Sequence, residues 1–384
     1  MLVTHLVAKN WRNFKGLDVD LRERQFIVGP NASGKSNLLD VFRFLRDVAF
    51  TAGGGLQKAV KQRGGVSKIR SLAARKDPEI CIEIHLSDDL NTPSKWRYQL
   101  AFVQEARGKR QTIVTRENVW KGSKQILQRP DEHDAKDQER LTQTYLEQIN
   151  ANVDFREVAQ FLQSVTYLHL VPQLLRFADS IQGRIIENDP FGQGFLERIA
   201  KTQEKTRKAR LSRIQNALKV AVTQLEQLEF ERDEATGQPH LKALYSHWRP
   251  NAGWQREDQF SDGTLRLIGL LWALQEGDSL LLLEEPELSL NAGIVAQLAP
   301  MISRLQRVRG RQVLVSTHSD ALLNDPGVDG REVLLLTPAA EGTQATVASD
   351  VDEIRALLES GMSVGEVVLP RTRPSRAHDL STVA

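Results

Sequence analysis

The segment Gly29-Pro30-Asn31-Ala32-Ser33-Gly34-Lys35-Ser36 fits the spacing G-x-x-x-x-G-K-[ST]. Glycines at such positions allow positive φ and a close approach of backbone to ligand. Successive N–H groups and the start of a following helix would then form an anion nest. Lys35 would reach the β and γ phosphates of a nucleotide, and the Ser36 hydroxyl would ligate Mg²⁺. A second chemical segment is Leu280-Leu281-Leu282-Leu283-Glu284-Glu285-Pro286-Glu287, an apolar run that ends in carboxylates. Continuous apolar runs are the mark of parallel strands buried on both faces, and ligands of such sheets sit beyond the strands' carboxyl ends. Glu284 is thereby placed to hold the Mg²⁺ shell through water. Glu285 is placed to orient or deprotonate an attacking water, and Glu287 reads as a structural or surface residue.

Two more segments follow the same logic. Phe260-Ser261-Asp262-Gly263-Thr264-Leu265-Arg266 precedes the acidic run by about one helix and would present Ser261, Gly263 and a helix N-terminus at the surface. Gln312-Val313-Leu314-Val315-Ser316-Thr317-His318-Ser319 is a strand pattern that ends on a histidine.

The elements around these residues make the fold α/β. Leu2 to Lys9, Leu17 to Leu21 and Gln25 to Val28 read as short strands, the third running into the glycine loop. Leu38, Leu39, Val41, Phe42, Leu45, Val48 and Ala49 then recur at helical spacing. Glu79 to Ser87, Trp96 to Glu105 and Thr112 to Leu127 predict an antiparallel β subdomain of about three strands. A polar loop is expected over 129–140, helix over 141–163, and a strand over Val165 to Val171 ending at Pro172-Gln173. A longer helix is expected over 193–228. Its stripe Leu211, Ile214, Leu218, Ala221, Leu225 and Leu228 admits either an amphipathic helix packed on the body or a short protruding arm. A hairpin is predicted around Thr236-Gly237-Gln238. Helices near 262–275, 292–307 and 319–323 alternate with strands at Leu280 to Leu283, Gln312 to Ser316 and Glu332 to Leu336, which predicts a parallel sheet covered by helices.

Composition narrows the function classes. The formal net charge is only +2, so nucleic acid could be held only by local patches. Basic clusters at 58–76, 107–129 and 201–213 offer three, and their bland reading is a solvated face. No apolar run is long enough to span a membrane. The N-terminus lacks a signal-peptide pattern. A lone cysteine, Cys81, fits a reducing, cytoplasmic setting.

Taken in order, the glycine loop, Ser261-Asp262-Gly263, the Glu284 strand and His318 resemble ABC-type ATPases of the RecF, OLD and structural-maintenance-of-chromosomes group. The resemblance covers roughly 1–50 and 258–340. It implies an ATPase head with ATP and Mg²⁺ as cofactors, assembled from 1–128 and 229–369 around a mainly helical insertion at 129–228, with a disordered tail at 370–384. It implies a split site. One head supplies Lys35, Ser36, Glu284, Glu285 and His318, the last as a γ-phosphate sensor; the opposing head supplies Ser261, Asp262 and Gly263. The ATP-binding set becomes Gly29, Asn31, Gly34, Lys35, Ser36, Asn37 and Arg12, because Asn10-Trp11-Arg12-Asn13-Phe14 resembles the group's N-terminal strand motif. Ser36, Glu284 and Gln173 form the implied Mg²⁺ set. Leu288-Ser289-Leu290-Asn291 matches the loop that crosses the dimer seam.

The sequence departs from the group in places. Ala32 stands where glycine is common, Glu284 where aspartate is usual, and Asn291 where histidine often stands. The signature is Ser-Asp-Gly-Thr rather than the Ser-Gly-Gly-Gln of transporters. No long coiled coil fits between Trp120 and Phe260, and about 65 residues follow His318, too few for the TOPRIM nuclease of OLD enzymes. The expected partners are a second head or a higher oligomer and a separate effector such as a TOPRIM-like nuclease, as in stand-alone ATPases of anti-phage systems, with DNA as a further candidate. A RecF-like repair clamp and an ATP-driven scaffold without nucleic acid are the alternatives.

Overall fold

A computed structural model describes residues 1–51, 53–176, 191–249, 253–374 and 379. Its centre is a six-stranded sheet in the order Gly342–Val347, Val333–Ala339, Arg24–Val28, Val313–Ser316, Leu281–Glu284 and Thr166–Leu168. The last five run parallel, and only Gly342–Val347 is antiparallel to its neighbour. Alternation divides these strands between two cores. Ile27, Leu282, Leu314, Leu334 and Leu336 face one; Phe26, Val28, Leu281, Leu283, Val313, Val315, Val333 and Leu335 face the other. Both faces are apolar because both are covered, as parallel strands require.

The first core lies under helix Lys35–Ala49 and a six-stranded antiparallel sheet. That sheet runs Phe14–Asp20, Leu2–Trp11, Ile80–Ser87, Trp96–Gln104, Thr112–Lys121 and Lys124–Arg129. The stretch expected as one strand over 112–127 is two, folded back at Gly122, whose φ of 58° suits the turn. The second core is built on helix Asp262–Gln275, which buries nearly its whole length, including Trp272.

Helix is not continuous over 193–228. Two helices, Phe195–Lys201 and Glu204–Ala221, are followed by strand Leu225–Arg232, which pairs with Pro239–Tyr245 across the Thr236-Gly237 turn. Leu211, Ile214 and Leu218 are buried in the second core, so the helix packs on the body. The apparent continuation of the stripe through Leu225 and Leu228 belongs to the strand, where those two residues pair with Tyr245 and Ala243. The 129–228 segment, expected to be mainly helical, thus also carries strand Thr166–Leu168 of the central sheet and the start of Leu225–Arg232 of the small one.

Three other expectations change. The polar stretch 129–140 holds a short helix, Glu132–Lys136, and a buried Arg129 that meets Glu117 and Asp134, each at 2.9 Å. Over 141–163 only Arg156–Gln163 is α-helical. Residues 369–372 form a short helical turn with Thr372 buried, so the tail does not begin at Pro370; 375–378 and 380–384 lie outside the described residues. Helices Asp352–Glu359 and Val364–Val368 close the second core.

Candidate functional site

Strand register builds the site. Glu284 pairs with Ser316, and Ser316 with Ile27, so three parallel strands end on one row. The residues that follow emerge side by side: Gly29 after the first, Thr317 and His318 after the second, Glu285 after the third. Backbone bonds fix this edge, with Glu285 N–H donating to the Ser316 carbonyl at 3.0 Å and Thr317 N–H to that of Ile27 at 3.2 Å.

The glycine loop wraps the start of helix Lys35–Ala49. Gly34 has a φ of 103°, which favours glycine, and Ala32 sits at 63°. The left-handed turn at Ala32 is therefore a place that favours glycine. The Asn13 amide donates to the Ala32 carbonyl at 3.0 Å and helps hold the turn. Ala32→Gly is expected to relieve left-handed strain on the order of 1 kcal/mol, offset by greater freedom of the unfolded chain. The melting temperature should stay level or rise slightly; a clear fall would show that Ala32 is not strained.

Lys35 Nζ donates to the carbonyls of Gly29 at 3.0 Å and Pro30 at 3.2 Å. Burial lowers the pKa of its ammonium, against the opposing pull of Glu285, Glu284 and Glu287. Ser36 Oγ donates to Glu284 Oε1 at 2.5 Å. A hydroxyl and a carboxylate held this close form a hard-oxygen pair of the type that binds Mg²⁺ together with phosphate oxygens and water. The Tyr167 hydroxyl donates to Glu284 Oε2, and burial, then the Glu284 charge, pushes its pKa well up, so it stays a donor.

Glu285 has a φ of 44° and a side chain 29% exposed. Its Oε1 lies 3.7 Å from His318 Nε2, too long for a hydrogen bond, and that buried nitrogen has no hydrogen-bonding partner. Burial, then Lys35, lowers the His318 pKa, so the ring is neutral at pH 7. Glu287 is not at the surface: Oε1 accepts from Thr317 Oγ1 at 2.6 Å and from His318 N–H at 3.0 Å, and burial raises its pKa. It ties the turn after the acidic strand to the histidine strand.

Beside the loop, a cavity of about 770 Å³ is lined by Arg12, Asn13, Asn37, Arg70, Leu72 and Glu341 among others. Arg12 reaches it with its charge engaged: Nη2 meets Asp40 at 2.8 Å. Burial would raise the Asp40 pKa, but Arg63, Arg12 and Arg43 hold it below the ordinary range. Asn31 is exposed on the loop.

Ser261 caps helix Asp262–Gln275, its Oγ accepting from Thr264 N–H at 3.2 Å. A Cβ on Gly263 would stand 2.6 Å from the Ser289 carbonyl, so only glycine lets the helix start pack against the 288–291 turn. Gln173 departs from its expected place. Its amide donates to Asp262 Oδ2 at 3.0 Å, beside an Arg176–Asp262 pair at 2.8 Å, and makes no bond to Ser36 or Glu284. The proline at 172 starts a helical turn, Pro172–Arg176, that carries the side chain toward the signature helix. Two basic clusters are partly consumed by structure: Arg63 pairs with Asp40 and Asp47, and Arg129 is buried. In the third, Arg207 and Arg210 lie over Phe230 and Trp272, while Lys201, Lys205 and Arg213 are exposed.

A family model described as "AAA domain, putative AbiEii toxin, Type IV TA system" matches residues 26–324. The chain belongs to that family. Its fold is that of Smc heads. A head bound to the C-winged helix domain of ScpA matches with a TM-score of 0.56 at 13% identity, over 90% of this chain and 97% of that one. A Pyrococcus furiosus Smc head with an extended coiled coil, bound to the C-terminal domain of ScpA, matches with a TM-score of 0.53 at 12% identity, over 94% and 99%. No curated protein matches. The chain is thus an AAA-family domain with the fold of an Smc head. Among the described residues of this AAA-family head, no helix is long and apolar enough to cross a membrane.

Proposed function

We propose that this AAA-family head binds ATP with Mg²⁺, closes on a second head around shared nucleotides, and opens on hydrolysis to control a separate effector protein in anti-phage defence. The observation that carries the chemistry is the row formed by Ser36, Glu284, Glu285 and His318 at the carboxyl edge of the parallel sheet. Phosphates would lie in the loop with Lys35, Mg²⁺ between Ser36 and Glu284, and the base and ribose toward the cavity by Arg12 and Asn37. Glu285 would take the water's proton, and neutral His318 would donate to the γ-phosphate or the water. Ser261, Asp262 and Gly263 would act on the opposing head's nucleotide. In this reading Gln173 serves the signature helix of its own head.

The defence role rests on the toxin–antitoxin description of the family. A separate partner is the counterpart of the ScpA domains on the Smc heads, and the partner's own activity, such as a TOPRIM-like nuclease, would be the output. A DNA clamp is the second reading, favoured by exposed Lys201, Lys205 and Arg213; it requires binding that falls steeply with salt.

Lys35→Ala removes the cation that faces the phosphates. Hydrogen bonds to charged groups carry about 1.5–3 kcal/mol, so ATP affinity should fall roughly 10–150-fold. Titration calorimetry with ATP–Mg²⁺ measures it, and unchanged affinity would remove the phosphate site from the glycine loop. Mass photometry of the chain co-expressed with its neighbouring gene product tests the role. ATP-dependent assembly carrying the neighbour supports a controlled effector, whereas assembly without it favours the self-sufficient clamp.

A further inference from the structure

Glutamate is the longer choice at position 284, and the chain supplies a side chain that fits the extra length. Strand Thr166–Leu168 lies at the edge of the central sheet, with Tyr167 opposite Leu282. Side chains two apart on a strand share a face, so Tyr167 and Glu284 project to the same side on neighbouring strands, in diagonal reach. The Tyr167 hydroxyl donates to Glu284 Oε2 while Ser36 donates to Oε1. Both carboxylate oxygens are engaged, and the side chain has one orientation. The phenol is itself fixed: Tyr167 is buried, and the Arg43 guanidinium from helix Lys35–Ala49 stacks 4.1 Å from its ring centre.

We propose that Tyr167 is a positioning residue that holds Glu284 in the orientation needed for Mg²⁺, so that tyrosine and the longer carboxylate work as a matched pair. The inference rests on the assignment of Mg²⁺ to Ser36 and Glu284 under Proposed function. Mg²⁺ accepts little departure from octahedral geometry. A carboxylate with one more rotatable bond than aspartate gains most from an outer partner that removes that freedom, and such partners change metal affinity by about tenfold or more when lost. Aspartate carries the same carboxylate on a side chain one methylene shorter, so its oxygens would stand back from both Ser36 and the phenol.

The test measures ATP binding to the full chain as a function of Mg²⁺, without reference to turnover. Tyr167→Phe keeps the ring under Arg43 and removes only the donor. It should raise the Mg²⁺ concentration for half-maximal ATP binding about tenfold and leave binding in EDTA unchanged. In a Glu284→Asp background the same substitution should have little further effect. An unchanged midpoint in Tyr167→Phe, or an equal shift in both backgrounds, overturns the pairing while leaving the metal assignment in place. ATP binding by the parent chain that ignores Mg²⁺ overturns the metal assignment and the pairing with it.

Discussion

Glu285→Gln is expected to bind ATP–Mg²⁺ as the parent chain does, to lose hydrolysis by about 10²–10⁴-fold, the usual worth of a general base, and to accumulate as a closed dimer. Glutamine has the size of glutamate, and its backbone keeps the N–H bond to the Ser316 carbonyl. The left-handed φ of 44° at this residue is equally awkward for either side chain, so the substitution leaves the local fold alone. That φ is itself informative. Strained backbone at a non-glycine residue persists only where the surroundings fix it. Here the strained residue holds its carboxylate 3.7 Å from His318 Nε2. Removing the charge also removes a repulsion between Glu285 and the γ-phosphate, which should favour the closed state further. Single-turnover phosphate release and mass photometry with ATP–Mg²⁺ check both halves. Hydrolysis at the parent rate would take the base role away from Glu285; a dead but monomeric variant would break the link between nucleotide and assembly.

What the sequence made legible was local or periodic. The glycine loop has a fixed spacing, and helix Lys35–Ala49 begins at its lysine. The Leu280 run and the Val313 run became adjacent parallel strands because apolar residues on both faces admit little else. What it hid depended on register or on distant partners. Tyr167 meets Glu284 only because an edge strand pairs at one register, 117 residues away in sequence. Glu287 reads as a structural or surface carboxylate until the neighbouring strand supplies Thr317 and His318 as its donors. Arg129 sits in a polar stretch that looks solvated, yet Glu117 and Asp134 neutralise it in the interior. Gln173 sits in the helical turn Pro172–Arg176, and its amide meets Asp262 rather than Ser36 or Glu284. In each case the residue type was plain and the partner was not.

Ser261→Arg places the second large effect on the other half of the proposed split site. Ser261 is exposed at the start of a 14-residue helix, where the N-terminal N–H groups favour an anion. It makes no bond to Lys35, Ser36 or Glu284, so the isolated head should keep its ATP affinity. An arginine there would fill the space where the opposing γ-phosphate must approach. The serine cap lost in the exchange costs about 1 kcal/mol, which a head with two cores of this extent tolerates. Introduced into Glu285→Gln, the substitution should abolish the ATP-dependent dimer while titration calorimetry still reports nucleotide bound one per head. Loss of binding as well would mean that Ser261 serves its own head's nucleotide. Persistence of the dimer would mean that closure does not bring the signature helix onto the opposing phosphate, and the shared site would then have to be abandoned even if Glu285 proved to be the base.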